Sequence, residues 1–326
     1  VMVHVTVGTA NTLCGVMNAS RDNIPLLLAA GRTPITNSGH IASRNSHIHW
    51  GQESYDQAGM LREFVKWDYE LRHGQPVSSL VDRALDVAMS EPRGPVYLTL
   101  PREVLADPAI SPRREENRTL GATAPHPDPA LIADLAHAIS KASFPLIITS
   151  NVGRDHRAYD ALQELAEAFA IPVVQSVPNE LNMPTRHPMH IGYDIGGILP
   201  RADLVIVLDA AVPWIPKATL PAKQAQIFHI ASDPLVLTVP FRDFEADAFV
   251  TATPAAALQA LLKELAGLKS AMQSSIASRR ETVAARKAEI DQKRKNLLEK
   301  GKSQSPIDSA WLSACVNAAT QKDAVI

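Results

Sequence analysis

The run from Val1 to Pro34 changes character four times, and it constrains the fold more than any other stretch of the chain. Val1 to Val7 is β-branched and apolar around His4, which predicts a buried strand. Gly8-Thr9-Ala10-Asn11 is small and polar, which predicts a tight turn where a backbone or a ligand approaches closely. Asn11 or Thr12 then caps a helix running to about Ser20. Asp22-Asn23-Ile24-Pro25 stops that helix, Leu26 to Ala30 is a second apolar strand, and Gly31-Arg32-Thr33-Pro34 turns the chain. Strand, helix and strand in that order form a βαβ crossover between parallel strands. The helix start then faces out of the carboxyl end of the first strand, where open parallel sheets bind ligands. Two readings remain open on geometry alone: a ligand site, or an ordinary crossover with a core histidine.

The same alternation continues. Residues 1–105 form a first unit, with a helix from Val77 to Ser90 stopped by Glu91-Pro92-Arg93-Gly94-Pro95 and a strand from Val96 to Leu100. Residues 106–127 are rich in proline, arginine and glutamate and read as a linker, in which Arg113-Arg114-Glu115-Glu116 is a solvated charge run. Residues 128–268 form a second unit. Its helices are predicted at Pro129–Lys141, His156–Ala170 and Pro254–Leu268, and its strands at Pro145–Thr149, Pro172–Gln175, Leu204–Leu208 and Gln226–Ile230. Strands alternating with helices predict an α/β fold of two doubly wound parallel-sheet domains. Residues 269–304 form a charged helical connector with Val283, Ile290 and Leu297 at heptad spacing. In residues 305–326, Ser305-Pro306-Ile307-Asp308 caps a helix from Ser309 to Ala319, and a further strand starts at Ala324.

Composition narrows the partners. A formal net charge of -2 gives no electrostatic footprint for nucleic acid, and no apolar run is long enough for a bilayer. Cys14 and Cys315 are the two cysteines, too far apart in sequence for a framework or a metal spacing, which points to a reducing, cytoplasmic setting. His40, His47 and His49 share a polar stretch, but no further spaced pair joins them, so no metal site is predicted.

The opening run resembles the pyrimidine-binding domain of thiamine diphosphate (ThDP) enzymes of the acetolactate synthase and benzoylformate decarboxylase kind. Gly8, Asn11, Asp22, Pro25, Gly31 and Pro34 fall at the matching places. Trp50-Gly51-Gln52-Glu53 resembles the aromatic-Gln-Glu element of the acetolactate synthases. Phe64-Val65-Lys66-Trp67 resembles the strand entry after it, and Gly94 to Pro101 the strand that closes the domain. The middle of the chain resembles the Rossmann-like central domain of the family, and residues 305–326 the opening of its diphosphate-binding domain.

The resemblance implies non-oxidative decarboxylation or carboligation of a 2-oxo acid with ThDP and Mg2+, in a homodimer or a dimer of dimers. His4 matches the catalytic histidine of the HSAAGTGN-type loop of benzoylformate decarboxylases; packing in the core is the alternative for a strand histidine. Gly8, Thr9 and Asn11 would line the pyrimidine pocket, and Gln52 would reach the substrate or the aminopyrimidine. Trp50 and Trp214 are candidate pocket walls, Trp214 equally a packing residue within Val212-Pro213-Trp214-Ile215-Pro216. Glu53 is alternatively an ion-pair member. No Glu precedes Glu53 and no G-D-G…N motif occurs, so the cofactor's glutamate and its diphosphate anchor are expected outside this stretch of sequence. The expectation is a fragment inactive in isolation. Two other readings stand beside it: a non-catalytic interaction module, and an FAD- or nucleotide-binding module. Against the last, only Gly153 marks the first turn of the second unit, so the dinucleotide glycine fingerprint fails.

Overall fold

The computed structural model describes residues 1–110 and 120–321. The charge run Arg113–Glu116 and the strand expected from Ala324 lie outside the described residues. The chain forms two compact units. One comprises Val1–Pro125 with Leu235–Asp243, and the other comprises His126–Pro234 with Phe244–Ile326.

The first unit runs β1 (Met2–Val3), α1 (Val5–Arg21), β2 (Leu26–Arg32), α2 (Ile48–Gly51), β3 (Trp67–Glu70), α3 (Val77–Met89), β4 (Pro95–Pro101) and α4 (Arg102–Ala106). Its four strands are parallel in the order β1-β2-β4-β3. Strand alternation sorts the side chains onto two faces. Ala29, Val96, Leu98 and Leu100 pack with Ala84 and Ala88 of α3, while Leu28, Ala30 and Tyr97 pack with Val16 of α1. Helices therefore cover both faces of the sheet, and every residue of β4 is buried.

The second unit runs α5 (Pro129–Lys141), β5 (Pro145–Thr149), α6 (His156–Phe169), β6 (Val173–Gln175), β7 (Leu204–Leu208), β8 (Gln226–Ala231), β9 (Ala248–Thr251), α7 (Pro254–Leu268), α8 (Gln273–Gly301) and α9 (Ser309–Ala319). All five strands are parallel, in the order β6-β5-β7-β8-β9. Asp128, Asp155, Thr253 and Asp308 cap α5, α6, α7 and α9 with side-chain oxygens, as polar residues at those positions do. The heptad in α8 is used at two of its three positions. Val283 is buried and Ile290 packs on the core, but Leu297 is exposed.

One expectation fails at the start of the chain. The first strand is two residues long, and α1 begins at Val5, so Gly8-Thr9-Ala10-Asn11 lies within the first turns of a helix and not in a turn before it. β9 had no counterpart in the sequence reading.

Arg279 locks α8 down. The residue is buried to 1 % exposure, and its guanidinium donates to Ile139 O at 2.6 Å, Ala142 O at 2.5 Å and Phe169 O at 3.3 Å. These carbonyls end α5 and α6, where the helix dipoles are negative and backbone acceptors lack intrahelical partners. Burial pushes the pKa of this group down and Asp203 opposes the shift. Arg279→Met leaves those carbonyls without their donor, and should lower stability by about 1–3 kcal/mol; urea unfolding measures it.

His190 gives the second unit a pH dependence. Burial, Lys287 and His187 lower its pKa to about 4, against a hydrogen bond to Thr185 that raises it. The unfolded chain takes up that proton near the ordinary value of about 6.5. The contribution is therefore fully present above about pH 6.5 and is lost as pH falls towards 4, by on the order of 3 kcal/mol. Urea midpoints between pH 7 and 4.5 should fall steeply in the parent protein and less in His190→Gln.

Candidate functional site

The carboxyl ends of the first unit's strands carry a rim of polar residues. His4 follows β1 and precedes α1; its side chain is exposed and makes no hydrogen bond among the described residues. Val5, next in the chain, is buried and has φ +32°, a conformation strained for a β-branched residue. Outliers of this kind cost about 1–3 kcal/mol and persist where the surroundings over-determine them. Here Gly8 supplies part of that constraint. A Cβ at Gly8 would lie 2.9 Å from Val3 Cβ and 3.2 Å from Val3 C, so only glycine lets the first turn of α1 close onto β1.

Thr9 looks inward. It is fully buried, and its hydroxyl donates to Val5 O at 2.8 Å and lies 2.8 Å from Tyr97 Oη. Gln57 Nε2 donates to Tyr97 Oη and to Gly31 O, both at 2.9 Å, and Gln57 Oε1 accepts from Thr6 at 3.2 Å. Of the three residues expected to line a cofactor pocket, Gly8 and Thr9 are therefore spent on internal packing and hydrogen bonding. Asn11 is exposed.

Thr6 also donates to Gln52 O at 2.7 Å, which brings the start of α1 against the 50–54 segment, 46 residues away in sequence. Gln52 is half-buried and Trp50 is 54 % exposed, with the Arg44 guanidinium 5.2 Å from its ring centroid. Glu53 is an ion-pair member: it meets Arg44 and Arg32 and accepts from Thr33 Oγ1 at 2.9 Å. Arg32, Arg44, Glu53, Ser54 and Tyr55 line a cleft of about 550 Å³. The residues that sequence reasoning missed are Arg32, Arg44 and Glu70. The signal for Arg32 was its place in the turn after an apolar strand.

Trp214 lies in the other unit. At 4 % exposure it packs edge-on to Phe244, 5.3 Å between ring centroids, and to His229 at 6.4 Å. A phenyl and an imidazole ring flank it in the core, as the packing alternative expects. Glu103, just past β4, is buried. Burial raises its pKa, but bonds from the Thr36 N–H and hydroxyl, each 2.8 Å, outweigh this and hold it below the ordinary value.

The first turn of the second unit tests the FAD reading. Asp155 caps α6 with its own carboxylate, accepting from Arg157 N–H at 2.9 Å, and so places a negative charge where a phosphate would sit. Gly153 N–H is taken by Asn182 Oδ1 at 3.1 Å, and a Cβ there would meet Leu181 O at 2.3 Å. The turn packs on its own chain and forms no phosphate cradle. For Mg2+, no group of three His, Cys, Asp or Glu among the described residues could hold a metal ion. Among the described residues, no helix is long and apolar enough to cross a membrane.

Parallel sheets with helices on both faces and polar residues gathered at strand ends define an α/β protein of ligand-binding architecture. Comparison with known proteins makes this specific. Residues 132–261 match the thiamine pyrophosphate enzyme central domain. The chain is 27 % identical over 245 residues to benzoylformate decarboxylase of Pseudomonas aeruginosa, covering 72 % of this chain and 45 % of that protein. It is 26 % identical over 238 residues to the acetolactate synthase isozyme 1 large subunit of Escherichia coli, covering 69 % and 40 %. A crystal structure of a candidate thiamin diphosphate-dependent enzyme from Mycobacterium smegmatis superimposes with a TM-score of 0.68 at 26 % identity, over 81 % of this chain and 50 % of that one. The chain is thus similar to thiamine diphosphate-dependent enzymes, with their central domain matched over residues 132–261. It spans less than half the length of these curated relatives.

Gly8→Ala tests the junction that presents His4. Overpacking of this kind costs about 1–3 kcal/mol. Thermal unfolding should show the loss, and the His4 imidazole resonance should shift with it.

Proposed function

We propose that this chain supplies one wall of an active site for ThDP- and Mg2+-dependent chemistry on a 2-oxo acid, non-oxidative decarboxylation or carboligation. The observation that carries the reading is the Thr6–Gln52 bond. It joins the segment holding exposed His4 to the segment holding Trp50 and Gln52, at the strand end where parallel sheets take their ligands.

The coenzyme supplies, when bound, the carbon nucleophile and the electron sink. The chain's own residues then have defined tasks. His4 carries an imidazole suited to moving a proton near neutral pH. The Gln52 side-chain amide offers a donor and an acceptor at the rim, on a backbone that Thr6 fixes. Trp50 presents an aromatic face, and Asn11 an amide one helical stretch beyond His4. Thr9 and Gly8 serve by holding α1 in place. The fit is to the ring side of the coenzyme. Among the described residues no group of three His, Cys, Asp or Glu could hold a metal ion, so the proposal gives these residues no part in anchoring Mg2+. A homodimeric or tetrameric assembly and a cytoplasmic location complete the proposal.

Two measurements test it. Isothermal titration of this chain with ThDP and Mg2+ should show no micromolar binding; a micromolar Kd would show that the chain carries its own anchor. In a protein holding both this chain and a diphosphate-binding domain, His4→Ala should lower kcat by about 10²–10⁴-fold, the range for a lost acid–base group, with an unchanged Tm. An unaltered rate would remove His4 from the chemistry.

A further inference from the structure

Glu53 stands where three stretches of the first unit meet. Its carboxylate accepts from Thr33 Oγ1 at 2.9 Å, from Arg32 Nη2 at 3.4 Å and from Arg44 Nη2. Arg44 donates from Nε to Pro34 O at 2.9 Å and lays its guanidinium over Trp50. Arg32 reaches Ser54 O at 3.2 Å and Glu70 Oε2 at 2.7 Å.

Two guanidiniums on a cleft wall invite a reading as an anion seat. The charges argue otherwise. Glu53 and Glu70 cancel Arg32 and Arg44, so an incoming anion would have to displace a carboxylate that already has four donors, the Ser54 N–H at 3.3 Å among them. The cluster is a brace. What it braces is short of other support: α2 is four residues long, has no side-chain cap and buries none of its residues. One isolated turn does not hold itself in water. Thr6 grips the segment at Gln52 O, and Glu53 grips it one residue on.

We infer that Glu53, acting through Arg44, is a positioning residue that sets the Trp50 ring and the Gln52 backbone in the rim segment beside the cleft. The functional meaning of that rim rests on the reading proposed above; the mechanical coupling does not. Charge-assisted bonds with a planar fork fix direction as well as distance, which a lysine at position 44 would not reproduce.

The chain has four tryptophans, so 5-fluorotryptophan labelling gives four 19F resonances, with Trp50 identified by Trp50→Phe. In Glu53→Gln the Trp50 resonance should move towards the position of a solvent-exposed indole while the other three stay. Amide exchange over residues 44–54 should quicken at least tenfold, with β2 and β4 unchanged. Arg44→Lys should release Trp50 in the same way although it keeps the charge. A stationary Trp50 resonance in Glu53→Gln overturns the inference. So does a loss of protection spread evenly through β2 and β4, since that marks a residue holding the unit and not the rim. Neither readout needs a coenzyme, so a failure to bind ThDP would count against the functional reading and leave this one standing.

Discussion

Burial of parallel strands on both faces is the constraint from which the rest follows. β4, β5 and β7 are buried at every residue. Their side chains are committed to the core, which leaves chemistry only the strand ends and the loops beyond them. The first unit follows this closely. His4 comes directly after β1, Arg32 ends β2, Glu70 ends β3 and Glu103 follows β4 by two residues. Each strand end carries a polar or charged side chain, and each is held by partners from another strand end or loop, except His4.

That exception gains its meaning from what lies beneath it. Thr9, Gln57 and Tyr97 form a buried polar network in which the hydroxyls and the amide are partnered. Buried polar groups cost free energy unless satisfied, so such a network specifies one arrangement and penalises others. Here it fixes α1 against the sheet. α1 needs this, because Val5, Thr6, Val7 and Thr9 are poor helix formers, each some tenths of a kcal/mol worse than alanine. The helix start is held by tertiary contacts and not by propensity, and the strain at Val5 is the local cost of turning the chain there.

The same fact explains what was legible in the sequence. Pro129–Lys141, Pro145–Thr149, Leu204–Leu208, Pro254–Leu268 and Ser309–Ala319 were read to the residue, because caps, prolines and apolar runs mark their ends. The strand expected over Val1 to Val7 ends early because β-branched residues favour strands locally, and the contacts of Thr9 and Gly8 that override them lie up to 88 residues away. β9 was missed because Ala248–Thr251 is short and exposes two of its four residues, so it lacks the buried run that marked the other strands. At the site, Gln52 and Trp50 were visible through a motif. The partners of Glu53 were not, since Arg32 and Arg44 reach it from separate loops and no local pattern encodes a meeting of that kind. Trp214 was ambiguous in sequence because a proline-flanked aromatic suits a wall and a core equally; its packing on Phe244 and His229 comes from residues distant in sequence.

Topology alone would assign the second unit a ligand too. Its strand order reverses between β5 and β7, which is the switch point where doubly wound sheets open a crevice. The side chains there are turned to other uses. Ser150 Oγ donates to Ser176 O, Asn151 Nδ2 donates to Asp209 O at 3.2 Å, and Asn182 Nδ2 donates to Ser150 O at 2.9 Å. With Asp155 on the start of α6 and Gly153 against Leu181, the donors that would greet a phosphate already have partners from the chain itself. A fold sets where a ligand site can lie, and the residues at that place decide whether one exists. By that criterion the crevice of the second unit is self-satisfied, while the rim of the first keeps an unpartnered imidazole and an exposed indole.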